Sequence, residues 1–311
     1  MDRSIIIGYD PQHGGLDAVH LGHLLARSIG ARSTVVAALP WPEYLMSHAE
    51  LQAEVDREMK PRFDRVRQEF DGFPVETRAV PGRSGSRVLN EAVEEAQALL
   101  VVIGSSHRGP IGRTLAGTTA DSLMHGTSCG IAIAPSSYSE RVDAALGRIA
   151  IAFDGSPESW TALETAIGLV EITGGSLTVL TVADYLSYGY STTWSVLSEG
   201  ELEDSERREK RRLLDTALGR IPDGLPSKGR MLIGDAGVEL AEVSSDFDLL
   251  VTGSRGYGPL RRTILGSTTR QLVGASACPV LVLPRAVGSD PLRLRDLRSA
   301  RTPERSPQPA E

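Results

Sequence analysis

Residues 249–259 read LLVTGSRGYGP, an apolar run that ends in a glycine-rich stretch. A continuous apolar run of this length is typical of a strand that is covered on both faces in a parallel sheet. Downstream, residues 266–269 read GSTT, which favours a helix N-terminus whose hydroxyl groups cap free N–H groups. A glycine loop between a buried strand and a helix N-terminus is a place where phosphate binds. This stretch therefore predicts an α/β fold with an anion site.

The same pattern occurs twice in the 311-residue chain. Residues 104–111 (GSSHRGPI) align with residues 253–260 (GSRGYGPL) at an offset of 149, and the same offset relates Cys129 to Cys278. Nearer the start, residues 5–10 (IIIGYD) match residues 149–154 (IAIAFD) at an offset of 144. A period this long indicates two copies of a domain and not a solenoid. We predict a first domain over 1–140, a second over 146–286 and a tail over 287–311.

Each copy alternates strand and helix patterns. In the second copy, strands are predicted at 149–153, 176–182, 229–233, 249–253 and 280–283, with helices at 158–171, 199–218, 238–245 and 267–274. This alternation predicts two tandem, doubly wound, five-stranded parallel sheets. If the strand order is 3-2-1-4-5, strands one and four flank the switch point where such folds bind ligands. Asp154 and Gly253 would then face one crevice.

Composition excludes several classes of partner. The chain has 33 Lys and Arg against 40 Asp and Glu, a net charge of −7, so no basic footprint for nucleic acid is present. No apolar stretch approaches the ~18 residues of a membrane span. The start, MDRS, runs directly into a strand without a signal-peptide layout. We expect a cytoplasmic protein without membrane contact, in which Cys129 and Cys278 are reduced core thiols.

Four smaller features carry expectations of their own. Residues 201–212 are charge-laced and favour a solvated helix face over a binding patch. Pro61 is expected to kink or divide a long helix in the first repeat. His20 and His23 lie one helical turn apart, which suits a metal ion, although a helix face without metal is favoured. Residues 285–311 hold six arginines, four acids and several prolines, which predicts a largely disordered tail.

The whole pattern resembles the universal stress protein family, whose fold is like that of the adenine nucleotide alpha-hydrolases. Gly253, Gly256, Gly266 and Ser267 stand in the family's ATP-binding pattern, G-x2-G-x9-G-[ST], and the resemblance covers residues 3–284. It implies ATP as the ligand, with Mg²⁺ left open, and no resident metal site in the protein itself.

The resemblance also implies a role for each part of the site in the second repeat. The adenine would be bordered by Asp154 and Val182, and the ribose and phosphates by Gly253, Arg255 and Gly256. At the last helix, the phosphates would be held by Gly266, Ser267 and Thr268. The chemistry agrees, because glycine lets backbone N–H groups approach phosphate and a helix N-terminus carries partial positive charge. Arg255 adds a cation for charge-assisted hydrogen bonds.

The first repeat departs from this pattern. Asp10, Gly104, Gly117 and Thr118 are retained at the matching positions, but His107 stands where the second repeat has Gly256. Residues 11–12 (PQ) replace the GS of residues 155–156. A second nucleotide site in the first repeat therefore stays open.

The resemblance implies a regulatory protein of the stress response, and the chemistry of the site predicts that it binds ATP. A phosphoryl-transfer enzyme needs a placed metal ligand and a group that orients the nucleophile, and Asp154 is the only obvious acid in the site, so we expect at most slow hydrolysis and no catalytic residues. The resemblance also implies that the last strands of the two repeats pair as an internal pseudo-dimer. A homodimer of chains and an unknown protein partner stay open. Two alternatives remain: a partner-binding or structural stress protein that retains no nucleotide, and an enzyme of the broader fold, such as an adenylating ligase or an electron-transfer flavoprotein relative.

Overall fold

A computed structural model of the chain describes residues 3–11, 15–39, 48–81, 84–105, 118–127, 129–141, 144–184, 199–254, 266–283 and 291–294. Four residues that the sequence analysis singled out lie outside these ranges: His107, Gly117, Arg255 and Gly256.

The described residues of the first repeat form five strands and four helices in strict alternation. The strands are β1 (Ser4–Gly8), β2 (Arg32–Leu39), β3 (Val75–Pro81), β4 (Leu100–Gly104) and β5 (Gly130–Ala134). The helices are α1 (Leu16–Ile29), α2 (His48–Glu69), α3 (Gly85–Ala96) and α4 (Thr118–Gly126). A 3₁₀ turn at Tyr138–Glu140 follows β5 and leads towards the second repeat.

The second repeat has the same order. Its strands are β6 (Arg148–Ala152), β7 (Ser176–Ala183), β8 (Ser227–Ile233), β9 (Leu249–Gly253) and β10 (Val280–Leu283). Its helices are α5 (Pro157–Thr173), α6 (Glu199–Leu218), α7 (Ala236–Val243) and α8 (Ser267–Ala275). The predicted strands at 249–253 and 280–283 and the predicted helix at 199–218 have the predicted bounds, and the other elements shift by one to two residues at their ends.

All ten strands form one sheet with the order β3-β2-β1-β4-β5-β10-β9-β6-β7-β8. Within each repeat this is the order 3-2-1-4-5, and every pair inside a repeat is parallel. The two halves meet where β5 and β10 pair antiparallel, with Leu281 opposite Ala132. The doubly wound architecture predicted from the strand and helix pattern is confirmed, and the junction covers an edge strand of each half.

The sheet is buried on both faces because its central strands are apolar at most positions. In β1, Ile5 and Ile7 pack into the core on one side and Ile6 into the core on the other. The first core is closed by α1, α2, α5 and α6, and the second by α3, α4, α7 and α8. This is the layering expected of a parallel sheet with helices on both faces.

The segment that joins the repeats is anchored by Asp17 on α1. Its carboxylate accepts hydrogen bonds from the backbone N–H and the hydroxyl of Ser139, both at 2.8 Å, and from the backbone N–H of Ser137. Tyr138 lies between them with 2% of its surface exposed, and burial raises the pKa of its phenol to about 12. Its ring is covered by the guanidinium of Arg141.

Two expectations from the sequence bear on described residues. Helix α2 runs through Pro61 from His48 to Glu69, so the proline does not divide it. In the tail predicted over 287–311, residues 291–294 are described, and Leu292 and Leu294 are buried in the core with 0% and 2% exposure. Composition predicted disorder because prolines and charges dominate the tail. Two leucines that alternate with Arg293 are enough to bind the segment to apolar surface.

Candidate nucleotide-binding site

A cavity of about 190 Å³ lies at the carboxyl ends of β6, β7 and β9 in the second repeat. Asp154, which follows β6, and Gly253, which ends β9, both line it, although 99 residues separate them in the sequence. The walls combine apolar side chains with hydroxyl, carboxylate and ammonium groups. The lining residues used below are Asp154, Ser156, Val182, Asp184, Lys210, Leu240, Thr252, Gly253, Thr268 and Thr269.

Asp154 forms a tight turn between β6 and α5. Its Oδ1 accepts from both the backbone N–H and the hydroxyl of Ser156, and Gly155 between them has a φ of +82°. Ser156 then caps α5 by accepting from the N–H of Ser159. The aspartate is therefore held at the cavity wall by its own turn, which fits the turn chemistry of the DGSP sequence.

The end of β9 is tied to the first turn of α8. The carbonyl oxygen of Gly253 accepts from the hydroxyls of Thr252 at 3.1 Å and Thr269 at 3.2 Å. One residue further, the carbonyl of Ser254 accepts from the N–H of Gly266 at 3.1 Å. This bond brings together the two residues that flank segment 255–265, so the glycine motif begins and ends at the same edge of the cavity.

Helix α8 begins without a side-chain cap. Its N-cap residue is Gly266, which has no side chain, and the hydroxyl of Thr269 donates to Gly253 instead of accepting from the helix. The Thr269 hydroxyl is therefore not available to cap the first turn. Free N–H groups at a helix N-terminus are donors that an anion can satisfy.

The cavity brings together part of the predicted set of ligand-binding residues. Asp154, Val182, Gly253 and Thr268 all line it. Gly266 is half-buried at the start of α8, while Ser267 is exposed and does not belong to the lining. The roles of these residues towards a nucleotide stay predictions.

Helix α6 contributes a wall of the cavity that was not predicted from the sequence. Within residues 201–212, which were expected to be a solvated face, Lys210 lines the cavity and Glu206 is 9% exposed. Glu206 Oε1 accepts from the backbone N–H of Asp184 at 3.1 Å. Burial raises the pKa of the Glu206 carboxyl, while that hydrogen bond and the nearby Lys210 ammonium act to lower it. The sequence signal for this face is the helical spacing of residues 206, 210, 213, 214 and 217, which places them on one side of α6. Leu213, Leu214 and Ala217 on that side pack on the core.

The matching region of the first repeat is described in part. Asp10 is exposed, and its carbonyl oxygen accepts from the N–H of Gly15. Gly104 ends β4, and among the described residues other than its chain neighbours no atom lies within 4 Å of where a Cβ would stand. Thr118 is the first residue of α4. These residues occupy the positions that the duplication predicts, and binding in this repeat stays open.

Three further features of the described residues concern metal binding, thiol reactivity and membrane spanning. No cluster of three or more His, Cys, Asp or Glu side chains there could hold a metal ion. His20 Nε2 lies 2.8 Å from Glu69 Oε2. Cys129 and Cys278 are free and buried, and burial raises the pKa of both thiols, that of Cys278 to about 11. None of the described helices combines the length and the apolar character needed to cross a membrane.

The fold is that of a tandem α/β protein, and its second repeat has a cavity at the point where the strand order reverses. The universal stress protein family model matches residues 1–135 and 146–284, so the chain belongs to the universal stress protein family. Each match covers one repeat.

Relatives of the same length share both repeats. A universal stress protein of Mycobacterium tuberculosis and another of Mycobacterium bovis are each 27% identical over 297 residues, which is 90% of this chain and 99% of theirs. Among solved structures, a universal stress protein from Archaeoglobus fulgidus has a TM-score of 0.66 at 19% identity and covers 91% of this chain and 98% of its own. A putative universal stress protein from Pseudomonas aeruginosa has a TM-score of 0.61 at 16% identity, over 96% and 98%. These likenesses establish the tandem fold.

Proposed function

We propose that this universal stress protein binds ATP in the second repeat and acts as a regulatory nucleotide-binding protein of the stress response, with at most slow hydrolysis. One observation carries the proposal: Asp154, Gly253 and Thr268 line a single cavity at the carboxyl ends of the strands. Ligands of open α/β sheets bind at this place. The uncapped start of α8 lies at the same edge and supplies donors for phosphate.

The size of the cavity bears on how the nucleotide would lie. A volume of about 190 Å³ is below the ~300–1,000 Å³ of pockets that enclose a whole ligand. The base and part of the sugar would occupy it, with Asp154 and Val182 beside the base. The phosphates would extend beyond Gly253 towards Gly266, Ser267 and Thr268, where Mg²⁺ could accompany them. The exposed position of Ser267 suits a phosphate outside the cavity better than a base inside it.

The test starts with the purified full chain. Acid extraction and chromatography should recover adenine nucleotide, and calorimetry on stripped protein should give a dissociation constant for ATP with and without Mg²⁺. Asp154→Asn keeps an oxygen acceptor for the Ser156 turn and removes only the charge. Thr268→Val keeps the shape and removes the hydroxyl. Both should weaken binding about three- to tenfold.

The first repeat supplies a matched control. Thr119 aligns with Thr268 at the offset of 149, so Thr119→Val makes the same change in the other repeat. If only the second repeat binds, Thr119→Val leaves one site of unchanged affinity. A wild-type protein that binds no adenine nucleotide would refute the proposal and favour a partner-binding stress protein. Single-turnover hydrolysis faster than about one per second would refute the regulatory assignment.

A further inference from the structure

Helix α6 presents one basic residue to the cavity and turns the next two away from it. Lys210 lines the cavity and is half-buried, while Arg211 and Arg212 are exposed. Leu213 and Leu214, one turn later, pack on the core that α1, α2, α5 and α6 close on one face of the sheet. The apolar stripe thus fixes the rotation of the helix, and with it the side on which Lys210 stands.

The position of α6 along β7 is fixed by Glu206. This carboxylate, one turn before Lys210, is 9% exposed and accepts the N–H of Asp184 immediately after β7. A buried carboxylate without partners would be costly, so this bond is a strong constraint on the register of helix against strand. Lys210 is therefore held near the end of β7, in the cavity that Asp154 and Asp184 also line.

Lys210 and the start of α8 lie at opposite ends of the cavity. Helix α6 packs on β7 and β8, whereas Thr269 of α8 bonds to the end of β9. Strand β6 lies between β7 and β9, so two inter-strand spacings, about 10 Å, separate the two ends. A ligand whose phosphates meet α8 presents its nucleoside, and not its phosphates, to Lys210.

We propose that Lys210 is a ligand-binding residue that donates a charge-assisted hydrogen bond to the nucleoside end of the bound nucleotide. This inference rests on the function proposed above. A lysine ammonium only donates. Its partner is therefore an acceptor, either a ring nitrogen of the purine or a ribose oxygen. Asp154 and Asp184 supply acceptors in the same cavity, so its walls can bind both donors and acceptors of a base.

The test compares ligands that differ only in their phosphates. Dissociation constants of adenosine, AMP and ATP are measured for the wild type, Lys210→Met, Lys210→Arg and the control Arg211→Met, which changes the neighbouring exposed position. Lys210→Met should weaken all three ligands by the same factor, about tenfold. Lys210→Arg should recover part of the loss, and Arg211→Met should change nothing.

Each other result is decisive. A loss that grows from adenosine to ATP would place Lys210 at the phosphates and overturn the inference. Unchanged affinities would also overturn it, and a lowered melting temperature with unchanged affinities would show that Lys210 only balances the nearby carboxylates. If Lys210→Met does not fold, the dissociation constants of Lys210→Arg and Arg211→Met are compared instead. A wild type that binds none of the three ligands refutes the proposed function itself.

Discussion

The backbone of Gly253 lies against the first turn of α5 at Glu158. A Cβ on Gly253 would stand 2.7 Å from the Cβ of Glu158 and 3.1 Å from its carbonyl carbon. These contacts involve backbone and the base of a side chain, which cannot move away cheaply. Glycine is therefore required here by the packing of β9 against α5, before any ligand is considered. A bulky substitution at this motif glycine tests folding as much as binding.

This contact predicts that Gly253→Ala lowers the free energy of unfolding by about 1–3 kcal/mol, the usual cost of overpacking. Urea unfolding followed by circular dichroism measures it. Gly104→Ala makes the same change at the aligned glycine of the first repeat, where no atom of the described residues beyond the chain neighbours lies within 4 Å of the new Cβ. That control should be neutral, and equal effects at the two glycines would contradict the packing argument.

The carboxyl-terminal segment 291–294 binds back to the core as a clasp. Leu292 and Leu294 are buried, and the Arg3 guanidinium donates two hydrogen bonds, at 3.0 and 3.3 Å, to the carbonyl of Arg293 between them. We expect Leu292→Ala and Leu294→Ala each to cost about 2–5 kcal/mol in unfolding free energy.

A pair of truncations separates the clasp from the rest of the tail. A chain that ends at Leu294 should unfold like the full-length protein, whereas a chain that ends at Asp290 should melt at a clearly lower temperature. Scanning calorimetry compares the two. Indistinguishable melting temperatures for the three proteins would show that the segment adds no stability.

Thr269 positions the end of β9 through its hydroxyl. Thr269→Val keeps the shape of the buried side chain and removes the bond to the Gly253 carbonyl, which Thr252 still satisfies in part. We expect a loss of about 1 kcal/mol in unfolding free energy. Ser267→Ala, at an exposed position in the same turn, should leave stability unchanged. A stable Thr269→Val protein would mean that the Thr252 bond alone fixes this carbonyl.

We expect His23 to make the stability of the first repeat sensitive to acid. Its ring stands edge-on to Phe70 at 4.8 Å and to Phe73 at 5.8 Å, and its pKa is lowered by burial first and then by Arg27 and His20, against Asp71. A lowered folded pKa means that the unfolded chain binds the proton more readily. The stabilising contribution is therefore present above the unfolded value of about 6.5 and is lost as pH falls through the lower folded pKa.

The measurement is the unfolding free energy from pH 8 to pH 5. His23→Leu fills the site between the two phenylalanines without a titrating group. The unfolding free energy of this variant should change less with pH below about pH 6.5 than that of the wild type. Parallel profiles would assign the acid sensitivity to other groups.

Much of the site follows from local pattern. Apolar runs mark strands that are covered on both faces, and their carboxyl ends meet at one edge of a parallel sheet. Asp154 and Gly253 could therefore be assigned to one crevice from their order in the chain, given the strand order, and the family resemblance added Val182. The offsets of 144 and 149 likewise located the aligned residues of the first repeat without any coordinates.

The buried face of α6 and the burial of segment 291–294 could be identified only from the tertiary structure. Glu206 and Lys210 stand in a run of charges, and charge alone does not tell which side of a helix meets the sheet. Leu292 and Leu294 stand among prolines and arginines, and only the apolar surface they meet makes them core residues. Periodicity is a property of the chain, so the sequence by itself determined the duplicated α/β architecture. Burial depends on which other helices and strands pack against a residue. Only the folded chain therefore decided which charged residues and which tail residues are buried.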